Sequence, residues 1–94
     1  YVDLNNGVTI NKIKTVLSRK YSKERFVKIL KVGKSVSTNE VINTNNCYIS
    51  ICKTKYKNRI IILSVIDNLI KGGAGQAIQN MNIKFGFNIE KGLR

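Results

Sequence analysis

Hydrophobic residues recur at helical spacing near the start of the chain. Four of them lie three or four positions apart and a fifth lies beside them: Ile10, Ile13, Leu17, Tyr21 and Val16. This spacing places them on one face of an α-helix, and the face opposite carries Lys12, Arg19 and Lys20. Thr9 is a suitable N-cap for this helix. The pattern therefore predicts a helix from residue 10 to about residue 21, with its hydrophobic face toward the core.

The alternation and composition typical of strands appear in four segments. These are residues 1–4, 25–32, 47–53 and 59–66. The last segment is hydrophobic on both faces, as a strand covered on both sides is, and residues 54–58 connect it to the third as a hairpin. Two helices can hardly cover both faces of a sheet, so we expect one face to meet another domain or another subunit.

The rest of the pattern consists of a polar loop and a second helix. Residues 33–46 are rich in Ser, Thr and Asn, and a loop this long in a small domain is usually functional or packed on a neighbour. A helix from about residue 74 to residue 85 has one hydrophobic face, formed by Ala74, Ala77, Ile78, Met81 and Phe85. The predicted fold is α+β: a mostly antiparallel sheet with two helices.

The length and the net charge of the chain exclude few classes of function. Ninety-four residues make one domain, and the chain begins within a predicted strand, which suggests a piece of something longer. No segment has the length of a membrane span, and none resembles a signal peptide. The net charge of +12 attracts anions, but the lysines are scattered. Both a solvated basic surface and an anion-steering surface therefore stay open.

The cysteines and the missing histidines bear on metal and redox chemistry. Cys47 and Cys52 lie an odd number of positions apart in one predicted strand, so they should point to opposite faces. The chain has no His, and a zinc site would lack ligands. We therefore predict two reduced cysteines in a cytoplasmic protein and no metal site.

A glycine-rich stretch, KGGAGQ at residues 71–76, leads into the second helix. Unpaired backbone amides at a helix start bind anions, and missing side chains would let a ligand lie directly against the main chain. The stretch matches neither the dinucleotide fingerprint nor the P-loop. Close packing against another backbone explains the glycines equally well, so both interpretations stand.

A family resemblance adds to this picture. Residues 66–93, IDNLIKGGAGQAIQNMNIKFGFNIEKGL, resemble the C-terminal segment of N-acetyl-gamma-glutamyl-phosphate reductases. Three earlier segments, YVDLNNGVT, ERFVKIL and VSTNEV, are similar to the family more loosely and in the same order. The resemblance covers the whole chain and implies an NADP-dependent enzyme that reduces an acyl phosphate to the semialdehyde in arginine biosynthesis.

The resemblance also implies an architecture. Residues 1–94 would be part of a C-terminal catalytic and dimerisation domain of the glyceraldehyde-3-phosphate dehydrogenase type. Within it, residues 67–94 would form a helix and tail that return to a Rossmann domain outside this chain. The enzyme would be cytoplasmic and a homo-oligomer through the sheet, with a small acyl phosphate as substrate and neither nucleic acid nor membrane as partner.

The resemblance implies no catalytic residue here, because the family's nucleophilic cysteine and its histidine lie upstream. Cys47 is preceded by Asn46, not by the glycine of the family's nucleophile motif. The implied coenzyme-binding residues are Asn68, Gly72, Gly73 and Ala74. Asn68 would bond the nicotinamide carboxamide, with capping of the turn as its alternative role. Lys71 could attract a phosphate group or point to solvent, and we expect it to point to solvent. We expect three amides to hold the helix against the neighbouring domain: Gln76, Gln79 and Asn80.

Other functions remain as alternatives. A related reductase of the lysine pathway acts on a carrier-bound aminoadipyl phosphate and would look nearly the same in this segment. A small basic nucleic-acid-binding module fits the charge, but the aromatic residues fall mostly at predicted core positions and form no stacking platform. A free-standing dimerisation domain without chemistry is the third alternative.

Overall fold

The computed structural model describes all 94 residues and contains one four-stranded sheet and two helices. The strands lie in the order β1-β4-β3-β2. The β1–β4 and β3–β4 pairs are antiparallel, and the β2–β3 pair is parallel. The elements are β1 Val2–Asp3, α1 Ile10–Lys20, β2 Val27–Ile29, β3 Cys47–Lys53, β4 Arg59–Ile66 and α2 Gly75–Lys84. The predicted α+β fold with a mostly antiparallel sheet is thus confirmed.

The β3–β4 hairpin is the centre of the sheet, and both strands have the predicted bounds. Its register runs from Cys47 opposite Ile66 to Lys53 opposite Ile60. Ile51 in the middle of β3 has no exposed surface. Ile62 and Leu63 in the middle of β4 are each 37% exposed. Because neighbouring residues of a strand point to opposite faces, each face of the sheet keeps an exposed hydrophobic residue.

The two outer strands are shorter than the sequence predicts. β2 covers only three residues, although Phe26 and Leu30 at its two ends are buried, so hydrophobic burial continues where strand pairing has stopped. β1 pairs only with Arg59 and Ile60. The outer edge of β4 from residue 61 to residue 66 consequently has no neighbouring strand.

Helix α1 has the predicted amphipathic arrangement. Thr9 is its N-cap and accepts a hydrogen bond from the N–H of Lys12 at 3.2 Å. The helix packs against β2 and β3 with Ile13 and Leu17 half-buried, while its lysines and arginine lie mainly on the exposed side. No helix in the structure combines the length and the hydrophobicity needed to cross a bilayer.

Helix α2 has the opposite arrangement. Gly75, Gln79 and Asn82 form its buried side. The predicted hydrophobic face exists, but most of it is exposed: Ala74, Ala77, Met81 and Phe85. Met81 is 46% exposed and Phe85 is 67% exposed. This helix therefore packs on its own domain through small and polar groups and presents its hydrophobic side outward.

The polar loop of residues 33–46 is also more ordered than its composition suggests. It contains a short 3₁₀ turn, Thr38–Glu40, and two residues with no exposed surface, Val41 and Asn45. Asn43 adopts a positive φ of 60°, a conformation that asparagine tolerates better than most residues. The end of the loop therefore packs against its own domain, and packing of the loop on a neighbour stays a prediction.

Candidate functional site

The site begins with Asp67, the first residue after β4. Its carboxylate accepts hydrogen bonds from three backbone N–H groups: Asn43 at 2.8 Å, Leu69 at 2.8 Å and Ile70 at 3.2 Å. These donors, first that of Asn43, hold the pKa of Asp67 below its ordinary value because they favour the ionised form. Asp67 thus fixes the end of the polar loop to the start of the glycine-rich bend.

The bend itself, residues 67–74, is a wide turn. Gly72 N–H donates to the carbonyl of Asp67 at 3.1 Å, and Ala74 N–H donates to that of Leu69 at 3.1 Å, so each bond spans five residues as in a π-helix. A kink at Gly73, with φ −145° and ψ −112°, separates this turn from α2. Gly72, Gly73 and Ala74 are exposed next to one another. Three of the four predicted site residues therefore form one bare stretch of main chain.

The fourth predicted residue, Asn68, lies on the same bend. Its side chain is exposed and makes no hydrogen bond within the chain. A Cβ added at Gly72 would lie 2.7 Å from the Asn68 Oδ1, so Gly72 leaves the space that the amide of Asn68 occupies. The capping role that was the alternative for Asn68 belongs instead to Asp67. The donor and the acceptor of the Asn68 amide are both available to a ligand.

The two interpretations of the glycines apply to different positions. A Cβ at Gly75 would lie 2.5 Å from Asn45 Oδ1 and 2.7 Å from the carbonyl oxygen of Ile70, closer than real Cβ contacts. Close packing therefore accounts for Gly75. At Gly73 the nearest atom would be 3.5 Å away, an ordinary contact, so packing within this chain does not require that glycine.

Lys71 does not point to solvent, which corrects our expectation. Its Nζ donates to Gln79 Oε1 at 2.8 Å and lies 5.5 Å from the centre of the Phe26 ring. Burial lowers the pKa of Lys71 because it disfavours the charged form. Local sequence does not predict this inward turn, since Phe26 is distant in sequence and Gln79 lies two helix turns further on, in α2.

The expectation for Gln79 was also wrong. Gln79 is only 9% exposed, and its Oε1 also accepts a hydrogen bond from Asn45 Nδ2 at 2.8 Å. It therefore holds α2 to its own domain and is not available to a neighbouring one. Gln76 and Asn80 pair with each other at 2.9 Å on the exposed side, where contact with another domain remains a prediction.

The tail after α2 folds back beside the bend. Asn82 Nδ2 donates to the carbonyl oxygens of Ile89 and Lys91 at 3.1 and 2.9 Å, and Asn45 N–H donates to that of Arg94 at 2.8 Å. A cavity of about 330 Å³ lies between tail and bend, lined by Asn43, Ile70, Ala74, Gly75, Ile78, Gly92, Leu93 and Arg94. The tail is therefore part of the surface that surrounds the bend.

Three residues of this arrangement were missed by sequence reasoning: Asp67, Asn45 and Asn82. Asp67 could have been found, because an Asp directly before a turn often accepts backbone N–H groups two and three residues on. The two buried asparagines carry no such local signal, since their partners are distant in sequence. Cys47, half-buried with its Sγ 3.4 Å from Ser64 Oγ, lies on β3, away from any helix start that would activate a thiol.

The sequence that forms this sheet and helix has relatives among known proteins. Residues 1–68 match the family described as semialdehyde dehydrogenase, dimerisation domain, and the chain belongs to this family. Curated relatives carry the more particular name N-acetyl-gamma-glutamyl-phosphate reductase, which confirms the resemblance predicted from the sequence.

Three of these relatives show how much of the protein the match covers. The Clostridium botulinum (strain Eklund 17B) reductase is 48% identical over 86 residues, which is 92% of this chain and 25% of that protein. The Clostridium kluyveri reductase is 45% identical over 93 residues, or 99% of this chain and 27% of that protein. The Desulfotalea psychrophila reductase is 40% identical over 93 residues, with the same two coverages. The chain thus spans about a quarter of the length of these relatives.

Proposed function

We propose that this chain is the dimerisation-domain part of an NADP-dependent N-acetyl-gamma-glutamyl-phosphate reductase. The complete enzyme reduces an acyl phosphate to the semialdehyde in arginine biosynthesis and works in the cytoplasm. The chain alone is inactive, because the nucleophilic cysteine and the histidine lie upstream of it. The observation that carries the proposal is the hydrophobic face of α2, which points outward beside a bend of bare main chain.

That outward face supports a second domain as the neighbour of residues 67–94. Hydrophobic side chains such as Met81 and Phe85 are normally buried, and a row of them on one helix face marks a contact surface. About three quarters of each relative's length lies outside the matched region, which leaves room for a nucleotide-binding domain. The family match also ends at residue 68, where the bend begins.

The bend supports contact with the nicotinamide end of the coenzyme. The carboxamide of nicotinamide has one donor group and one acceptor group, and the unpaired amide of Asn68 complements both. Gly72, Gly73 and Ala74 offer main chain with no side chain larger than a methyl group, so a planar ring can approach closely. Asn68 would orient the nicotinamide ring, and the three small residues would leave space for it.

The sheet supports a homo-oligomer. Ile62 and Leu63 are exposed on opposite faces of β4, and the family is described as a dimerisation domain. A second copy that packs on one face of the sheet would cover one of these side chains and its neighbours.

A chimeric reductase tests the proposed function with the chain as it stands. In the Clostridium kluyveri reductase, the matched C-terminal quarter is replaced by residues 1–94 of this chain, and oxidation of NADPH with N-acetylglutamyl phosphate is followed. We expect activity in the chimera and none in the Clostridium protein truncated before this quarter. A folded chimera that stays inactive, while the parent enzyme is active, would contradict the proposal.

A second chimera with a shorter exchanged segment avoids a mismatch at the subunit interface. Replacing only the segment that corresponds to residues 67–94 keeps the Clostridium sheet and its subunit contacts, so this version should be active if the bend and helix have the proposed role. The reading frame upstream of Tyr1 provides a separate test. It should encode a Gly-Cys-Tyr motif followed by a histidine, and an unrelated domain there would overturn the assignment.

The predicted coenzyme contact is tested within the chimera by Asn68→Ala. Loss of two hydrogen bonds to the carboxamide should raise the KM for NADPH about tenfold or more. Asn11→Ala, which removes an exposed amide on α1, is the matched control and should leave this KM unchanged. Equal KM values for all three proteins would place the nicotinamide elsewhere.

A further inference from the structure

Lys71 is placed unusually for a lysine in an exposed turn. Gly72 and Gly73 next to it are exposed, yet the lysine side chain turns inward and is partly buried. Lysines at the surface usually keep the ammonium in water, and desolvation of the charge has a cost. The inward position therefore needs compensating contacts.

Two contacts provide that compensation. The ammonium donates to Gln79 Oε1 at 2.8 Å, and it lies 5.5 Å from the centre of the Phe26 ring, within the range of a cation–π interaction. Phe26 is 3% exposed, so the ring is fixed by the core. The carboxylate of Glu24 adds a weaker electrostatic attraction.

The acceptor on Gln79 is itself held in place. Asn45 Nδ2 donates to the same oxygen at 2.8 Å, and Asn45 has no exposed surface. The backbone N–H of Asn45 is bonded to the carbonyl of Arg94. One relay, Lys71–Gln79–Asn45, therefore connects the bend, the middle of α2 and the residues before β3.

The relay fixes the bend from its inner side. Asp67 secures the first residues of the bend through backbone N–H groups, but Gly72 and Gly73 have no side chains with which to hold their own position. Lys71 is directly adjacent to them and is anchored by its contacts with Gln79 and Phe26. With its side chain turned inward, the main chain of the two glycines is left on the outer surface beside Asn68.

We propose that Lys71 is a positioning residue for the coenzyme site: anchored on Gln79, it holds the bare main chain of Gly72 and Gly73 outward for the nicotinamide ring. The inference deepens the proposed function and depends on it. Lys71 does not touch the ligand in this arrangement, so its effect should fall on coenzyme binding and not on the acyl phosphate.

The test is kinetic and uses the chimeric reductase. Lys71→Met keeps the length of the side chain and removes the charge and the donor. We expect the KM for NADPH to rise about tenfold with an unchanged KM for the acyl phosphate. If the role of Lys71 were merely structural, the substitution would lower the fraction of active enzyme and leave both KM values unchanged. Lys71→Arg retains a donor and should recover most of the affinity. Lys20→Met, on the exposed side of α1, is the control and should match the unsubstituted chimera.

A second substitution covers the case in which Lys71→Met does not fold. Gln79→Met removes the acceptor and should raise the KM for NADPH in the same way, and the double variant should be no worse than the poorer single one. If the unsubstituted chimera is inactive, the proposed function fails. If it is active and neither substitution changes the KM for NADPH, the role assigned to Lys71 is wrong.

Discussion

The two helices of this domain are built in opposite ways. Helix α1 packs against the sheet through its hydrophobic face and exposes its cations, as the helices of most globular domains do. Helix α2 buries Gly75, Gln79 and Asn82 and exposes Met81 and Phe85. The contrast fits the proposal that the hydrophobic face of α2 is covered by a neighbouring domain, whereas that of α1 is covered within its own domain.

The two helices are consequently held by different interactions. Helix α1 depends on hydrophobic burial, which contributes roughly 25 cal/mol per Å² of apolar surface. Helix α2 depends on a close backbone approach at Gly75 and on buried amides, whose hydrogen bonds contribute about 1 kcal/mol each but are costly to leave unmade. An arrangement of this second kind can anchor a helix and still leave its hydrophobic face available.

The largest expected effect comes from adding a side chain at Gly75, where α2 approaches the rest of the chain closely. Gly75→Leu places a side chain where even a Cβ would lie 2.5 Å from Asn45 Oδ1 and 2.7 Å from the Ile70 carbonyl. We expect the free energy of unfolding, measured by urea titration of the chain, to fall by about 3 kcal/mol. Gly72→Ala is the control. Its nearest neighbour is the flexible end of Asn68, and it should change stability by less than about 1 kcal/mol. Equal losses would show that α2 is not held at Gly75.

Paired truncations measure the contrast between the two helices directly. Leu17→Ala on α1 removes half-buried hydrophobic surface and should lower the free energy of unfolding by about 2 kcal/mol. Met81→Ala on α2 removes an exposed side chain and should change it by less than about 0.5 kcal/mol. In the chimeric reductase the second change should instead weaken the contact between domains. If Met81→Ala destabilises the chain as much as Leu17→Ala, the hydrophobic face of α2 is buried within this domain after all.

A smaller effect is expected from removing the two hydrogen bonds that Asn82 donates to the tail after α2. Asn82→Ala leaves the carbonyl oxygens of Ile89 and Lys91 without their donor, which should lower stability by about 1–2 kcal/mol. Amide hydrogen exchange should then accelerate in the tail more than in β3 or β4. Asn58→Ala, at an exposed position between β3 and β4, is the comparison. Uniform acceleration throughout the chain would mean that Asn82 supports the whole fold and not the tail in particular.

The smallest expected effect is on the stability of the chain at low pH. Since the pKa of Asp67 is lowered in the folded state, its carboxylate adds stability that is present above its ordinary pKa of 3.8 and is lost as the pH falls through the folded value. Asp67→Asn should therefore flatten the decline of stability in acid. Glu40→Gln, which removes a carboxylate that accepts no backbone N–H, should leave the slope closer to that of the unchanged chain. Thermal unfolding between pH 2 and pH 6 checks both.

The local pattern of hydrophobic and polar residues was sufficient to predict most of the fold and part of the candidate site. Strands β3 and β4 and the cap at Thr9 follow from alternation and turn chemistry, which act between near neighbours in sequence. The orientation of α2 does not follow, because its periodicity defines a hydrophobic face without saying what covers it. The inward turn of Lys71 and the burial of Gln79 depend on Asn45 and Phe26, which are distant in sequence and carry no local signal.

The carbonyl of Arg94 is bonded to Asn45, so the last residue of the chain lies against the relay that supports the bend. Anything fused after Arg94, such as an affinity tag, would emerge directly at this place and compete for the same space. Tyr1 is 88% exposed and precedes the strand at the other edge of the sheet. When residues 1–94 are produced alone, a purification tag therefore belongs before Tyr1, where added residues leave the bend undisturbed.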